Sequence, residues 1–172
     1  MIKKLPNILT ASRIVISFLL IFSFVYFEEL GSSNLLLLAL FLIGALTDFL
    51  DGYIARRINE GVTFFGEVFD PLADKMLMLS AFLGLLYMGR APLIVIFLIL
   101  VREFFITGLR VVAVKKDIKV AASKMGKYKT ASQITAVSFL LAGFSTIGIP
   151  LLWIALFFTL YSGYEYAKEY LR

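Results

Sequence analysis

The sequence contains neither histidine nor cysteine in its 172 residues. Without cysteine, disulfides are excluded and thiols carry no information about the cellular compartment. Without histidine, there is no imidazole to bind a metal or to act as a base. A metal site in this chain must therefore be built from oxygen ligands, which suit hard ions such as Mg²⁺ or Mn²⁺.

Charged residues are also scarce, at 17% of the chain, whereas 60% of the residues are hydrophobic and the mean hydropathy is +0.92. This composition is far too apolar for a soluble domain and indicates a polytopic membrane protein. The formal net charge of +5 would by itself suit a nucleic-acid-binding protein. Because the basic residues cluster at the ends of apolar runs, as the positive-inside rule describes, we expect membrane lipids rather than nucleic acid as partners.

Six apolar segments predict an all-α integral membrane fold with six transmembrane helices, in one domain over residues 1–172. Arg13 interrupts the first apolar run and no small-residue cleavage site follows, which favours an uncleaved helix over a signal peptide. The basic stretch 114–129 is predicted as a loop. Six spans place both termini on the side of the basic loops, which is the cytoplasm. The predicted helices cover roughly residues 8–27, 34–57, 66–88, 92–110, 130–144 and 151–166.

Four carboxylates stand within a membrane-grade stretch, residues 47–75: Asp48, Asp51, Asp70 and Asp74. The first two are three residues apart and the last two are four apart, so each pair shares one helix face. The end of the second helix and the start of the third lie at one depth on the cytoplasmic side. Carboxylates inside a membrane segment are costly and mark functional sites, so this arrangement predicts a divalent-metal cage. The structural alternative is ion pairing with neighbouring cations, which explains one pair more readily than two.

Eight residues of this stretch stand at fixed spacing: Asp48-x-x-Asp51-Gly52-x-x-Ala55-Arg56 and then Gly66-x-x-x-Asp70-x-x-x-Asp74. The pattern resembles the signature of the CDP-alcohol phosphatidyltransferase family. Eight identities on a hydrophobic hairpin are far more specific than a lone glycine-rich loop. The segments PNILTASR, REFFITGLR and SKMGKYKTASQ resemble those bacterial members that use glycerol 3-phosphate as acceptor. The resemblance therefore extends over roughly the whole chain.

The resemblance implies that phosphatidyl passes from CDP-diacylglycerol to sn-glycerol 3-phosphate, with release of CMP, at the bacterial cytoplasmic membrane. It implies a six-helix CDP-alcohol phosphotransferase-like bundle, a cytoplasm-facing active site and a homodimer. Two Mg²⁺ or Mn²⁺ ions would stabilise the attacking and leaving oxygens. Carried over residue by residue, the metal ligands are Asp48, Asp51, Asp70 and Asp74, and Asp74 is also the general base.

The resemblance also implies a set of residues near the nucleotide and its diphosphate. They are Gly52, Ala55, Arg56, Gly66, Asn7 and Thr10. Gly52 has no side chain to block the approach of a diphosphate to the helix, and the planar fork of Arg56 matches phosphate oxygens. A structural role explains the polar residues of the first helix nearly as well as nucleotide binding does. In that case Asn7 caps the helix and Arg13 snorkels to the membrane surface.

The acceptor is itself a phosphate ester and needs cations near the aspartates. The available ones are Arg102, Arg110, Lys127 and Lys129. Arg102 has a structural alternative, which is to neutralise Glu103 or a neighbouring helix. The other three are explained equally well as positive-inside residues in contact with anionic lipid head groups.

Three other functions compete with this interpretation. The same chemistry on inositol phosphate, serine or phosphatidylglycerol fits the aspartate motif equally, and only the segments REFFITGLR and SKMGKYKT favour glycerol phosphate. A small cation carrier would need polar residues that continue to the outer face, where these helices have almost none. A non-catalytic adaptor would leave the cost of four intramembrane carboxylates unexplained.

Overall fold

The computed structural model describes residues 5–27, 33–57, 64–115 and 124–170, and this part of the chain is helical, with no strand. The all-α prediction is thereby confirmed for the described residues. The helices, in chain order, are α1 (Leu5–Phe27), α2 (Ser33–Arg57), α3 (Phe64–Tyr87), α4 (Leu93–Lys115), α5 (Lys124–Leu141) and α6 (Ser145–Tyr170).

Two of the predicted helix starts are wrong, and α4 ends at Lys115 rather than near Arg110. α5 begins at Lys124 rather than near Thr130, so Lys127 and Lys129 belong to the helix and not to the preceding loop. Lysine is a good helix former, because its straight side chain loses little rotamer freedom there. The basic composition that suggested a loop is therefore compatible with helical turns.

The second wrong start concerns Pro150, which the sequence places at the end of a turn but which lies inside α6. The first turn of α6 is already formed ahead of the proline, because the carbonyl of Phe144 accepts hydrogen bonds from the amides of Ile147 and Gly148. Proline removes one backbone hydrogen bond and crowds the preceding turn. Pro150 is in the second turn of a helix of 26 residues, so most of α6 lies beyond the affected turn.

The turn between α5 and α6 is a Schellman motif centred on Gly143. Gly143 has a positive φ of 90°, a conformation that favours glycine. The amide of Phe144 donates to the carbonyl of Phe139 at 2.9 Å. The two phenylalanine rings pack edge to face with centroids 6.4 Å apart, which supplies the apolar contact that usually accompanies this motif.

The chain divides into two compact units, and each is described by itself. Unit 1 consists of Met1–Met88 with Leu141–Gly143, and unit 2 of Gly89–Leu140 with Phe144–Arg172. In unit 1, α1 packs against both α2 and α3, and in unit 2, α4 packs against α6. The single-domain assignment for residues 1–172 stays a prediction.

The core of unit 1 depends on glycines that let side chains approach a helix backbone. Phe24 of α1 lies against Gly84 of α3, at the position that a Cβ would occupy. Leu77 of α3 similarly contacts Gly44 of α2, where a Cβ would come within 2.7 Å of a leucine methyl. Phe24 is almost completely buried, so it has little room to move away.

We expect Gly84→Ala to destabilise the protein. The added methyl group would overlap the ring of Phe24, and overpacking of a tight core costs about 1–3 kcal/mol. Thermal unfolding in detergent would measure this as a lower midpoint. The matched control is Gly108→Ala on α4, because no atom lies within 4 Å of the new Cβ there. Alanine at position 108 should stabilise the helix by up to about 1 kcal/mol relative to glycine. Equal midpoints for the two variants would contradict the packing argument.

One described helix, α6, is by itself long and apolar enough to cross a membrane. Three shorter apolar helical stretches occur at Thr10–Tyr26, Asn34–Thr47 and Lys75–Tyr87. α4 has the length of a span but carries Arg102, Glu103 and Arg110. Large apolar side chains are exposed on the described helices of both units, as on proteins that contact lipid or a partner. The prediction of six membrane spans stays a prediction.

Candidate active site

The aspartate motif lies on two helices of unit 1. Asp48 and Asp51 are in the C-terminal part of α2, together with Gly52, Ala55 and Arg56. Gly66, Asp70 and Asp74 are in the first half of α3. The side chains of these eight residues lie outside the described residues. The backbone nevertheless agrees with the prediction that one carboxylate pair stands near the end of a helix and the other near the start of the next.

The donor set of the motif fits a hard divalent cation. Four carboxylates supply only oxygen, and the chain has no histidine or cysteine that would favour a softer metal. Among the side chains that the structure describes, no other group of three or more potential metal ligands occurs. The metal-ligand role of the four motif aspartates stays a prediction.

α1 carries a polar stripe on its buried face. Thr10 is 0% and Arg13 2% exposed, and the hydroxyl of Ser17, one turn further, donates to the carbonyl of Arg13 at 2.8 Å. Arg13 is therefore not a snorkelling residue, because its side chain is buried. Asn7 does not cap the helix either, since α1 begins at Leu5. The side chain of Asn7 is outside the described residues, and the nucleotide-binding roles of Asn7 and Thr10 stay predictions.

A mostly buried ion cluster in unit 2 contains two of the four predicted acceptor-binding cations. Nζ of Lys129 donates to Oε1 of Glu103 at 2.6 Å, and Nη1 of Arg102 lies 3.4 Å from the same oxygen. Nη2 of Arg102 donates to the hydroxyl of Ser162 on α6 at 2.9 Å. The structure thus contains the contacts expected from the structural alternative for Arg102. Arg102 pairs with Glu103 and contacts a neighbouring helix, α6. The binding of acceptor phosphate stays a prediction for both cations.

The other two cations are exposed. The guanidinium carbon of Arg110 lies 5.7 Å from the centre of the Tyr166 ring, within the range of a cation–π contact. This contact orients the guanidinium group and leaves its N–H groups able to donate hydrogen bonds. Lys127 lies on α5 two residues before Lys129 and is exposed, so it suits a lipid head group as well as a small phosphate.

Sequence reasoning missed the partners that fix these cations. Ser162 and Tyr166 lie on α6, in the segment YSGYEY, which is outside the segments that carried the resemblance. A second polar contact joins α5 to α6, where Nε2 of Gln133 donates to the Thr159 hydroxyl at 2.8 Å. One sequence feature could have identified these partners. Thr159, Ser162 and Tyr166 are three or four residues apart on an otherwise apolar helix and therefore share one face.

The model of the CDP-alcohol phosphatidyltransferase family matches residues 3–161 of this chain. The chain belongs to that family. The match covers all eight motif positions and the cations of α4 and α5. Members of the CDP-alcohol phosphatidyltransferase family generally depend on a divalent metal, and in bacteria they are associated with the membrane.

Curated relatives cover nearly the whole chain. A protein of Rickettsia felis named CDP-diacylglycerol–glycerol-3-phosphate 3-phosphatidyltransferase is 39% identical over 174 residues, covering 96% of this chain and 94% of the relative. A protein of Bacillus subtilis with the same name is 40% identical over 183 residues, with the same two coverages. A protein of Mycoplasma genitalium, again with that name, is 32% identical and covers 80% of this chain and 64% of the relative.

Proposed function

We propose that this phosphatidyltransferase uses CDP-diacylglycerol as donor and sn-glycerol 3-phosphate as acceptor, and that it forms phosphatidylglycerophosphate and CMP. The observation that carries the proposal is the near full-length similarity to relatives whose names state this reaction. The complete aspartate motif in α2 and α3 supports it, because a chain that had lost the activity would not need these costly carboxylates.

In this reaction the acceptor hydroxyl attacks the phosphorus that carries the diacylglycerol, and the bond from that phosphorus to the CMP oxygen breaks. Asp74 takes the proton of the hydroxyl as general base. The four motif aspartates would hold two Mg²⁺ or Mn²⁺ ions, which when bound stabilise the negative charge on the attacking and leaving oxygens. Arg56 holds the diphosphate, and Gly52 leaves room for it against α2. Ala55, Gly66, Asn7 and Thr10 complete the nucleotide side.

The acceptor phosphate needs cations of its own. Glycerol 3-phosphate brings about two negative charges at neutral pH, and the site already contains four aspartates. Cations other than the metal are therefore needed to hold it. Those proposed are Arg102, Arg110, Lys127 and Lys129.

In the same proposal, six helices cross the bacterial cytoplasmic membrane, with both termini and the active site on the cytoplasmic side, and two copies form a homodimer. The support is the placement of basic residues at helix ends and the apolar surfaces of the described helices. A cytoplasmic active site is also where the water-soluble acceptor would be available.

The experiment that tests the proposed function is an acceptor comparison. Purified protein in detergent receives CDP-diacylglycerol, Mg²⁺ and, in parallel, labelled glycerol 3-phosphate, inositol phosphate, serine or phosphatidylglycerol. We expect transfer to glycerol 3-phosphate with a kcat/KM well above that for each other acceptor. Faster transfer to another acceptor would show that the protein catalyses the reaction of the family but that glycerol 3-phosphate is not its acceptor.

The topology makes a separate prediction that uses the absence of cysteine. A cysteine introduced at Ser33 should react with a membrane-impermeant maleimide on intact cells, because Ser33 begins α2 on the predicted outer side. A cysteine at Lys116 should react only after the cells are opened. The unmodified chain gives no background, since it contains no thiol. The reverse labelling pattern would show that the orientation is inverted.

A further inference from the structure

The carboxylate of Glu103 connects two helices of unit 2 through one oxygen atom. Its Oε1 accepts from Nζ of Lys129 on α5 at 2.6 Å and lies 3.4 Å from Nη1 of Arg102 on α4. The two cationic nitrogens are therefore no farther apart than these two distances combined. The side chains of Arg102, Glu103 and Lys129 are 12%, 17% and 14% exposed. The three side chains are therefore mostly but not completely buried.

Two cations this close need a negative charge between them. Repulsion between like charges grows as the effective dielectric constant falls, and mostly buried side chains are poorly screened. Glu103 supplies that charge and leaves the group of three with a net charge of one positive. Without it, Lys129 would be driven away from Arg102.

The contacts of Arg102 on its other side show that the cluster is built with fixed geometry. Its Nη2 donates to Ser162 at 2.9 Å, and its Nε lies 2.9 Å from the position that a Cβ on Gly163 would occupy. Arg102 is thus fitted against α6 at a position where only glycine leaves room. Lys129 has a flexible four-carbon side chain. Its hydrogen bond to Glu103 restricts the position of the ammonium group.

The same contacts are compatible with anion binding. A lysine ammonium has three N–H donors and a guanidinium has five, so each cation can contact Glu103 and a phosphate oxygen together. The carboxylate itself would repel a phosphate and therefore acts through the cations. We propose that Glu103 is a positioning residue that holds Arg102 and Lys129 as one cationic pair for the acceptor phosphate. This rests on the proposed function, in which these two cations bind glycerol 3-phosphate.

The test is steady-state kinetics with both substrates varied. We expect Glu103→Ala to raise the KM for glycerol 3-phosphate about tenfold, while the KM for CDP-diacylglycerol stays within about twofold. Glu103→Gln should raise the acceptor KM less, because the amide oxygen still accepts a hydrogen bond from Lys129. The matched control is Glu169→Gln, an exposed carboxylate of α6, which should leave both KM values unchanged.

A double variant separates positioning from a general structural role. If Glu103 acts through Lys129, the acceptor KM of Glu103→Ala/Lys129→Ala should rise by less than the product of the two single effects. Multiplicative effects would overturn the proposal. So would an unchanged acceptor KM with a lower kcat or a lower unfolding temperature.

A decrease in the acceptor KM would show that Glu103 competes with the acceptor for the cations, and would also overturn the proposal. Failure of the proposed function is seen separately, in the unmodified protein. If that protein does not transfer phosphatidyl to glycerol 3-phosphate, the substrate assignment is wrong before any variant is compared.

Discussion

Asp70→Asn is expected to abolish most of the activity and to leave the fold intact. The substitution keeps the shape of the side chain but removes one negative charge from the four carboxylates that would bind the metal ions. The lost interaction stabilises charge that develops in the transition state, and removal of one such group typically lowers kcat on the order of a hundredfold to a thousandfold. The measurement is phosphatidyl transfer at saturating Mg²⁺, with detergent-extracted yield and unfolding temperature as checks on folding.

The chain offers a matched control for this experiment. It contains five aspartates, and Asp117 is the one outside the motif. Asp117→Asn makes the same chemical change and should leave turnover unchanged. A chelator should abolish the activity of the unmodified protein, and Mg²⁺ or Mn²⁺ should restore it. Near-normal turnover of Asp70→Asn at saturating Mg²⁺ would refute the metal-cage interpretation.

Arg110→Ala and Lys129→Ala should each weaken binding of the acceptor, glycerol 3-phosphate, and leave binding of the donor, CDP-diacylglycerol, unchanged. A charge-assisted hydrogen bond to phosphate contributes about 1.5–3 kcal/mol, so the KM for glycerol 3-phosphate should rise on the order of tenfold to a hundredfold. Lys129 is mostly buried and should give the larger effect, because poor screening strengthens its interactions. Arg110 is exposed and should be near the tenfold end.

The KM for CDP-diacylglycerol is the internal control, since neither cation is assigned to the nucleotide. Lys168→Ala serves as the matched variant, because Lys168 is an exposed cation in the last turn of α6 with no assigned role. It should change neither KM value. If Arg110→Ala and Lys129→Ala weakened CDP-diacylglycerol instead, both residues would have to move from the acceptor pocket to the nucleotide site.

The features that the sequence alone predicted correctly are those controlled by local chemistry. The apolar segments indicated helices because a chain in a membrane must satisfy its backbone hydrogen bonds within each segment. The aspartate motif lies on two helices, α2 and α3, as the sequence indicated, whereas the shared faces of its carboxylates, expected from 3.6 residues per turn, stay a prediction. The order of the eight motif residues identified the family before any packing was known, and the match to residues 3–161 confirms it.

The sequence failed where local signals conflicted. The basic residues ahead of Thr130 suggested a loop, although α5 begins at Lys124. Pro150 suggested the end of a turn, although α6 begins five residues earlier at Ser145. Composition describes what a residue prefers on average. The helix starts are instead set by particular contacts, such as the Schellman turn at Gly143 and the packing of Phe139 on Phe144.

Only the tertiary structure determined what surrounds each charged side chain. Arg13 was compatible with snorkelling, but the folded chain buries it. Lys129 was one of several interchangeable basic residues until its ammonium was found on Glu103, 26 positions away. Arg102 could be paired with Glu103 from sequence, but its contact with Ser162 required α6 to pack against α4. Sequence specifies which charges exist and their helical spacing, whereas their partners depend on helices that are distant in the chain and adjacent in space.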